Sequence, residues 1–153
     1  MTQPSGMKTV LLLIGSILAS IHFAEAQQPT KVPRIGYLTG GTSLSANSAR
    51  TDAFRQGLRE LRYVEGQNII IDWRSADGKA DRLPALAAEL VRLKEDIIVT
   101  GGPTSNRAAK DTTVTVPIVM AYDNDPVGNG FVASLGRPGG NITGLSTLAP
   151  EII

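Results

Sequence analysis

The chain has no cysteine, and its one histidine, His22, stands near the start. Without cysteine no disulfide forms, and a lipid-anchored export signal, which needs a cysteine at the cleavage point, is excluded. With His22 set aside as part of a leader, a Ser-His-Asp triad, a Cys-His pair and the usual zinc ligand sets are excluded too. Only carboxylate, Lys, Tyr, Ser or Thr chemistry remains. An excess of one charge is also lacking: 15 basic side chains meet 14 acidic ones, for a formal net charge of +1. That balance gives no basic footprint for nucleic acid and no polybasic membrane patch. Long apolar runs are lacking as well. The run at 10–21 is about a dozen residues, short of the ~20 that span hydrocarbon as a helix.

What is present begins with that run. Lys8 precedes it, and Ala24-Glu25-Ala26 follows with the small-x-small pattern of a cleavage site. Residues 1–26 therefore read as a secretory signal peptide, cut before Gln27, and the protein as exported to the periplasm. The alternative is an uncleaved N-terminal anchor. Removing Lys8 and Glu25 leaves the net charge unchanged. Residues 27–32 are expected to be a mobile mature N-terminus, and the remainder suits one domain.

Along that remainder, short apolar runs alternate with helical patterns. Residues 32–39 (VPRIGYLT) predict a buried strand ended by Gly40-Gly41. Residues 45–62 place Ala46, Ala49, Ala53, Phe54, Leu58 and Leu61 at helical spacing. Residues 68–74 (NIIIDWR) predict a second strand. Asp81 suits an N-cap, with Pro84 in the first turn of a helix striped by Leu83, Leu86, Ala87, Leu90, Val91 and Leu93. Its other face, with Glu89 and 92–95, reads as solvated. Residues 96–100, 117–121 and 141–145 predict three more strands, with short helices at 105–110 and 126–135 between them. Arg137-Pro138-Gly139-Gly140 reads as a helix stop and turn. The order β-α-β-α-β-α-β-α-β predicts an α/β fold: a doubly wound five-stranded parallel sheet of order 2-1-3-4-5.

Ligands of such sheets bind beyond the carboxyl ends of the strands. Three loops qualify: 39–45 with Thr42 and Ser43, 101–106 with Thr104 and Ser105, and 121–125 with Tyr122 and Asp123. Two of them open helices, whose free N–H groups favour a carboxylate or phosphate. Each has a plainer explanation as turn and cap chemistry. Asp123 and Asp125 could be paired carboxylates or calcium ligands, or could cap the segment after Pro126. Tyr122 could stack on a ligand or pack locally, and Trp73 reads as an edge or packing residue. Gly40-Gly41 lacks dinucleotide-fingerprint spacing, and no phosphate-binding Lys follows Gly101-Gly102.

Several segments together carry a resemblance: RIGYLT (34–39), AFRQGLRELRYVEGQNIIIDWR (53–74), DRLPALAAELVRLKEDIIVTGG (81–102), PIVMA (117–121), DPVGNGFVASLGRPGGNITGLS (125–146) and LAPE (148–151). The chain resembles the substrate-binding proteins of ABC transporters, of the tryptophan/tyrosine uptake type. Most such proteins read LGYVEGQN, so Arg62 stands where a glycine would end the helix. The resemblance implies a type I periplasmic-binding-protein fold, with two lobes closing on a small ligand. It makes 33–147 the N-terminal lobe and 148–153 the start of a crossing to a second lobe that this chain lacks.

The expected function is an exported solute-binding component of an ABC importer. It would capture a small polar ligand such as an amino acid and present it to a membrane permease. Thr42, Ser43, Thr104 and Ser105 would hold a carboxylate, Asp123 would meet an amino group, and Tyr122 would cover an apolar part. No cofactor, metal ion or nucleic acid is implied, and the protein is not expected to be an enzyme. The alternatives are a one-lobe remnant that self-associates through its interlobe face, and an exported enzyme using carboxylates.

Overall fold

The computed structural model describes residues 31–41 and 49–147. The leader at 1–26, Thr42 and Ser43, the start of the first predicted helix and the crossing at 148–153 lie outside the described residues. From Val32 on, the chain belongs to a single compact unit.

Five strands form its centre: β1 (Arg34–Thr39), β2 (Ile70–Ser75), β3 (Ile97–Thr100), β4 (Ile118–Asp123) and β5 (Ile142–Ser146). All neighbours pair in parallel, in the order β2-β1-β3-β4-β5, as the alternation of the sequence requires. Three helices flank them: α1 (Ala49–Glu60), α2 (Leu83–Arg92) and α3 (Pro103–Thr112).

The period-2 alternation of the strands builds two cores. Leu38, Ile98, Ile118, Met120 and Ile142 point to one face, where Leu83, Ala87 and Leu90 of α2 and Ala108 and Ala109 of α3 cover them. Ile35, Tyr37, Ile71 and Val99 point to the other, where Phe54 and Leu58 of α1 pack. Rings cluster there: Tyr37 lies 4.8 Å from Trp73 and 5.4 Å from Phe54. Trp73 is thus a packing residue, and its Nε1 donates to Glu65 Oε1 at 2.7 Å. Among the described residues α1 is the single helix on this second face. It covers the β1–β2 side, and Leu145 of β5 is left 69% exposed.

Several local expectations need correction. No helix spans 126–135. A single turn follows Pro126 and ends at Gly130, whose φ is +68°. There the Phe131 N–H donates to Pro126 O at 2.8 Å and the Gly130 N–H to Val127 O at 2.9 Å. This pair of bonds is a Schellman stop, and the weak helix formers Gly128-Asn129-Gly130 bring it on after one turn. Asp81 is no N-cap: it sits inside a 3-10 turn (Ala80–Arg82) that runs directly into α2, whose N-cap is Arg82 without a side-chain bond. Pro84 is in the first turn, as its missing N–H allows.

Glu95 is not on a solvated face. The chain leaves α2 through Lys94 at φ 58° and places Glu95, 4% exposed, beside the start of β1. Its carboxylate lies 3.5 Å from Arg34, which also pairs with Asp72 at 2.6 Å. The helix predicted at 105–110 runs from Pro103 to Thr112. Strand β4 runs two residues beyond the predicted 121, so Tyr122 and Asp123 belong to the strand rather than to the loop after it.

Candidate ligand-binding site

The carboxyl ends of the strands are tied together by a buried polar chain. Thr100, Asn106 and Asp123 are each fully buried. Thr100 Oγ1 donates to Asn106 Oδ1 at 2.6 Å. Asn106 Nδ2 donates to Asp123 Oδ2 at 2.8 Å and to the Tyr122 carbonyl at 3.2 Å. The other Asp123 oxygen accepts from the Asp125 N–H at 3.0 Å and from Asn129 Nδ2 at 2.9 Å. Asp125 in turn accepts from the Gly128 N–H at 2.8 Å, capping the turn after Pro126. Buried polar groups need such partners, and here every link has one. The chain fixes β3, the start of α3 and β4 as one block.

On the α1 side of that block lies a cavity of about 540 Å³, within the range of small-molecule sites. Tyr37, Phe54 and Tyr122 present rings to it, and Val119, Ala121 and Leu145 form much of its floor. Gly101 and Thr147 stand at the strand ends. Gly102, at φ +133°, is what lets Tyr122 lie against this loop: a Cβ there would come 2.7 Å from Tyr122 Oη. Burial raises the pKa of the Tyr37 hydroxyl, Arg50 works against that rise, and Tyr122 adds to it. Arg50 of α1 lies over the Tyr122 ring, 4.7 Å from its centre, and its Nη1 is 3.4 Å from Tyr122 Oη.

The structure separates the residues expected from sequence. Tyr122 lines the cavity. Asp123 does not; both its oxygens are engaged inside the block. Ser105 is fully buried, and its hydroxyl donates to the Gly102 carbonyl at 2.8 Å. Thr104 is exposed and lines a different groove of about 390 Å³ between α2 and α3, with Leu83, Pro84 and Ala108. Thr42 and Ser43 lie outside the described residues. Sequence reading missed Tyr37, Phe54 and Arg50. Tyr37 and Phe54 look like core positions by periodicity, and Arg50 looks like a solvated helix residue. The available signal was the helix itself, since its first turn must start near the carboxyl end of β1.

Among the described residues no group of three or more His, Cys, Asp or Glu side chains could hold a metal ion, and no helix is long and apolar enough to cross a membrane. The cavity lining offers ring faces, hydroxyls, one guanidinium and apolar floor. That inventory suits binding of a small amphipathic molecule.

Residues 42–151 match the family model described as ABC transporter substrate binding protein. The chain belongs to that family. It is similar to a tyrosine-binding protein from Clostridioides difficile (strain R20291), 37% identical over 93 residues, which are 61% of this chain and 27% of that protein. Among solved structures, a ligand-free, open substrate-binding protein with adhesive properties from Clostridium difficile superposes with a TM-score of 0.71 at 29% identity, covering 77% of this chain and 40% of that one. A conserved domain protein from Vibrio cholerae gives 0.69 at 31% identity, over 78% and 40% of the two chains. The chain thus spans well under half the length of these family relatives. The α/β fold with its five-stranded parallel sheet, order β2-β1-β3-β4-β5, matches these periplasmic-binding neighbours.

Proposed function

We propose that this protein is the ligand-capturing component of an ABC importer, and that it takes an amino acid with an aromatic side chain in the cavity beside Tyr122. The observation that carries this reading is the cavity itself: ring-walled, apolar-floored and reaching the carboxyl ends of the strands. Stacking and edge contacts with Tyr37, Phe54 and Tyr122 would hold an aromatic side chain. The tyrosine-binding relative from Clostridioides difficile supports the same ligand class. The leader pattern at 1–26 supports export to the periplasm, and membership of the family supports an ABC permease as partner.

Isothermal titration of the purified chain with tyrosine, tryptophan, phenylalanine, alanine and glutamate tests the proposal. Aromatic amino acids should bind, with alanine and glutamate weaker by about tenfold or more, as expected from the apolar area they leave unburied. Equal affinity across the panel, or no heat with any aromatic, sinks it.

A second reading is favoured by Leu145, 69% exposed in the floor of the cavity. Two copies could cover this face of each other. Sedimentation velocity would then give a dimer that aromatic ligands dissociate; a monomer at all concentrations removes this reading.

A further inference from the structure

The cavity is lined by a cation that has no carboxylate partner among the described residues. Among the described residues that line it, Arg50 is the one charged residue. Four arginines of the sheet and helices have carboxylates: Arg34 has Asp72 and Glu95, Arg55 has Glu65, Arg74 has Glu89 and Arg82 has Asp77. Arg50 instead rests on the Tyr122 ring and makes one long contact, 3.4 Å, to a neutral hydroxyl. Arg107 also rests on a ring, that of Phe131, but it lies outside the cavity and donates to the Asn129 carbonyl. A guanidinium has five N–H donors in a planar fork, and among the described residues one of Arg50's donors has a hydrogen-bond acceptor, the Tyr122 hydroxyl. Arg50 is exposed in the free chain, and a ligand lying over the cavity floor would shield the ion pair formed there from solvent.

The acidic side chains that sequence position would offer to an ammonium group face elsewhere. Asp123 is fully buried with both oxygens engaged by Asn106, Asn129 and the Asp125 N–H. Asp125 accepts from the Gly128 N–H. Neither lines the cavity. Tyr37, whose burial raises the pKa of its hydroxyl further above the ordinary 10, supplies a neutral hydroxyl in the same space.

We propose that Arg50 is the carboxylate anchor of this cavity, and that the side chains lining it select ligands as apolar carboxylates without reading the α-amino group. This rests on the amino-acid reading above and sharpens it. The planar fork donates two N–H bonds to the carboxylate in bidentate fashion, while the Tyr122 ring beneath it holds the guanidinium in place. The ligand body lies over the apolar floor formed by Val119 and Ala121. A desamino analogue then binds as an amino acid does, and an amine without the carboxylate does not.

The test uses three probes that differ in one charged group each: L-tyrosine, 3-(4-hydroxyphenyl)propanoate and tyramine. They are titrated calorimetrically into the wild-type chain, Arg50→Gln and Arg50→Lys, with thermal unfolding to show that each variant is folded. The two carboxylates should bind wild type within about threefold of each other, and tyramine about 10- to 100-fold more weakly, the range of a charge-assisted bond. Arg50→Gln should lower affinity for both carboxylates by about 10- to 100-fold and leave tyramine unchanged, with Arg50→Lys between the two because a point charge replaces the fork. Unchanged carboxylate affinity in Arg50→Gln, or tyramine binding as tightly as the carboxylates, overturns the anchor while the amino-acid reading stands. L-tyrosine binding far more tightly than its desamino analogue overturns the claim that the amino group is unread. Failure of all three probes to bind wild type overturns the amino-acid reading and the anchor with it.

Discussion

Asn106 Nδ2 donates to Asp123 Oδ2 at 2.8 Å inside a fully buried setting, so the acidic residue at the end of β4 holds the scaffold together rather than facing the cavity. Asp123→Ala should therefore act on stability. It leaves Asn106, Asn129 and the Asp125 N–H without their acceptor, and urea unfolding should show a loss of about 2–4 kcal/mol. A ligand-contacting Asp123 would instead leave the unfolding midpoint unchanged and lower affinity alone.

Gly102→Ala is expected to damage both stability and binding. The φ of +133° disfavours any side chain, and the new Cβ would stand 2.7 Å from Tyr122 Oη, so the ring must move. A left-handed or otherwise strained position costs about 1–2 kcal/mol for a non-glycine residue. Calorimetry should show weaker aromatic binding alongside a lower melting temperature; intact binding with intact stability would contradict the placement of Tyr122.

Arg62 occupies the left-handed position, φ 66°, at which α1 stops. The Tyr63 N–H donates to Leu58 O at 2.8 Å and the Arg62 N–H to Arg59 O at 2.9 Å, the same stop that Gly130 makes after Pro126. Arg62→Gly should stabilise the chain by about 0.5–1 kcal/mol, read as a higher denaturant midpoint. A lower midpoint would mean that the Arg side chain contributes more than the backbone strain removes.

Glu95 gives the protein a pH dependence. Burial first, then Asp72, push its carboxyl up from the ordinary 4.5 to about 7, with Arg34 opposing. The folded chain thus binds more protons than the unfolded one between those values. Stability from this group is fully present below pH 4.5 and falls as pH rises toward 7. Glu95→Gln should gain on the wild type by on the order of 2 kcal/mol between pH 4.5 and pH 8, by urea unfolding at each pH. A constant gap between the two proteins would show that Glu95 ionises normally.

The fold was legible because each strand is a short apolar run between helical stripes, and a parallel sheet has few ways to connect them. The failures are local and electrostatic. The stretch after Pro126 has helical spacing, but Gly128-Asn129-Gly130 stops it within a turn. Glu95 looked solvated because a charged neighbourhood hides a single residue turned under the sheet. In the site, the carboxyl-end rule found the loops and Tyr122, but residue type alone could not show that Ser105 and Asp123 turn inward. Arg50 and Phe54 escaped notice because they reach the cavity from a helix, not from a loop.

Aromatic ligands are expected to bind beside Tyr122, not in the groove that holds Thr104. The direct measurement is calorimetric titration of L-tyrosine into Tyr122→Ala and Thr104→Ala side by side. Loss of the ring should weaken binding about tenfold, from lost stacking and lost support for Arg50, while Thr104→Ala should match the wild type. Unchanged affinity in Tyr122→Ala, with a loss in Thr104→Ala, would contradict the account.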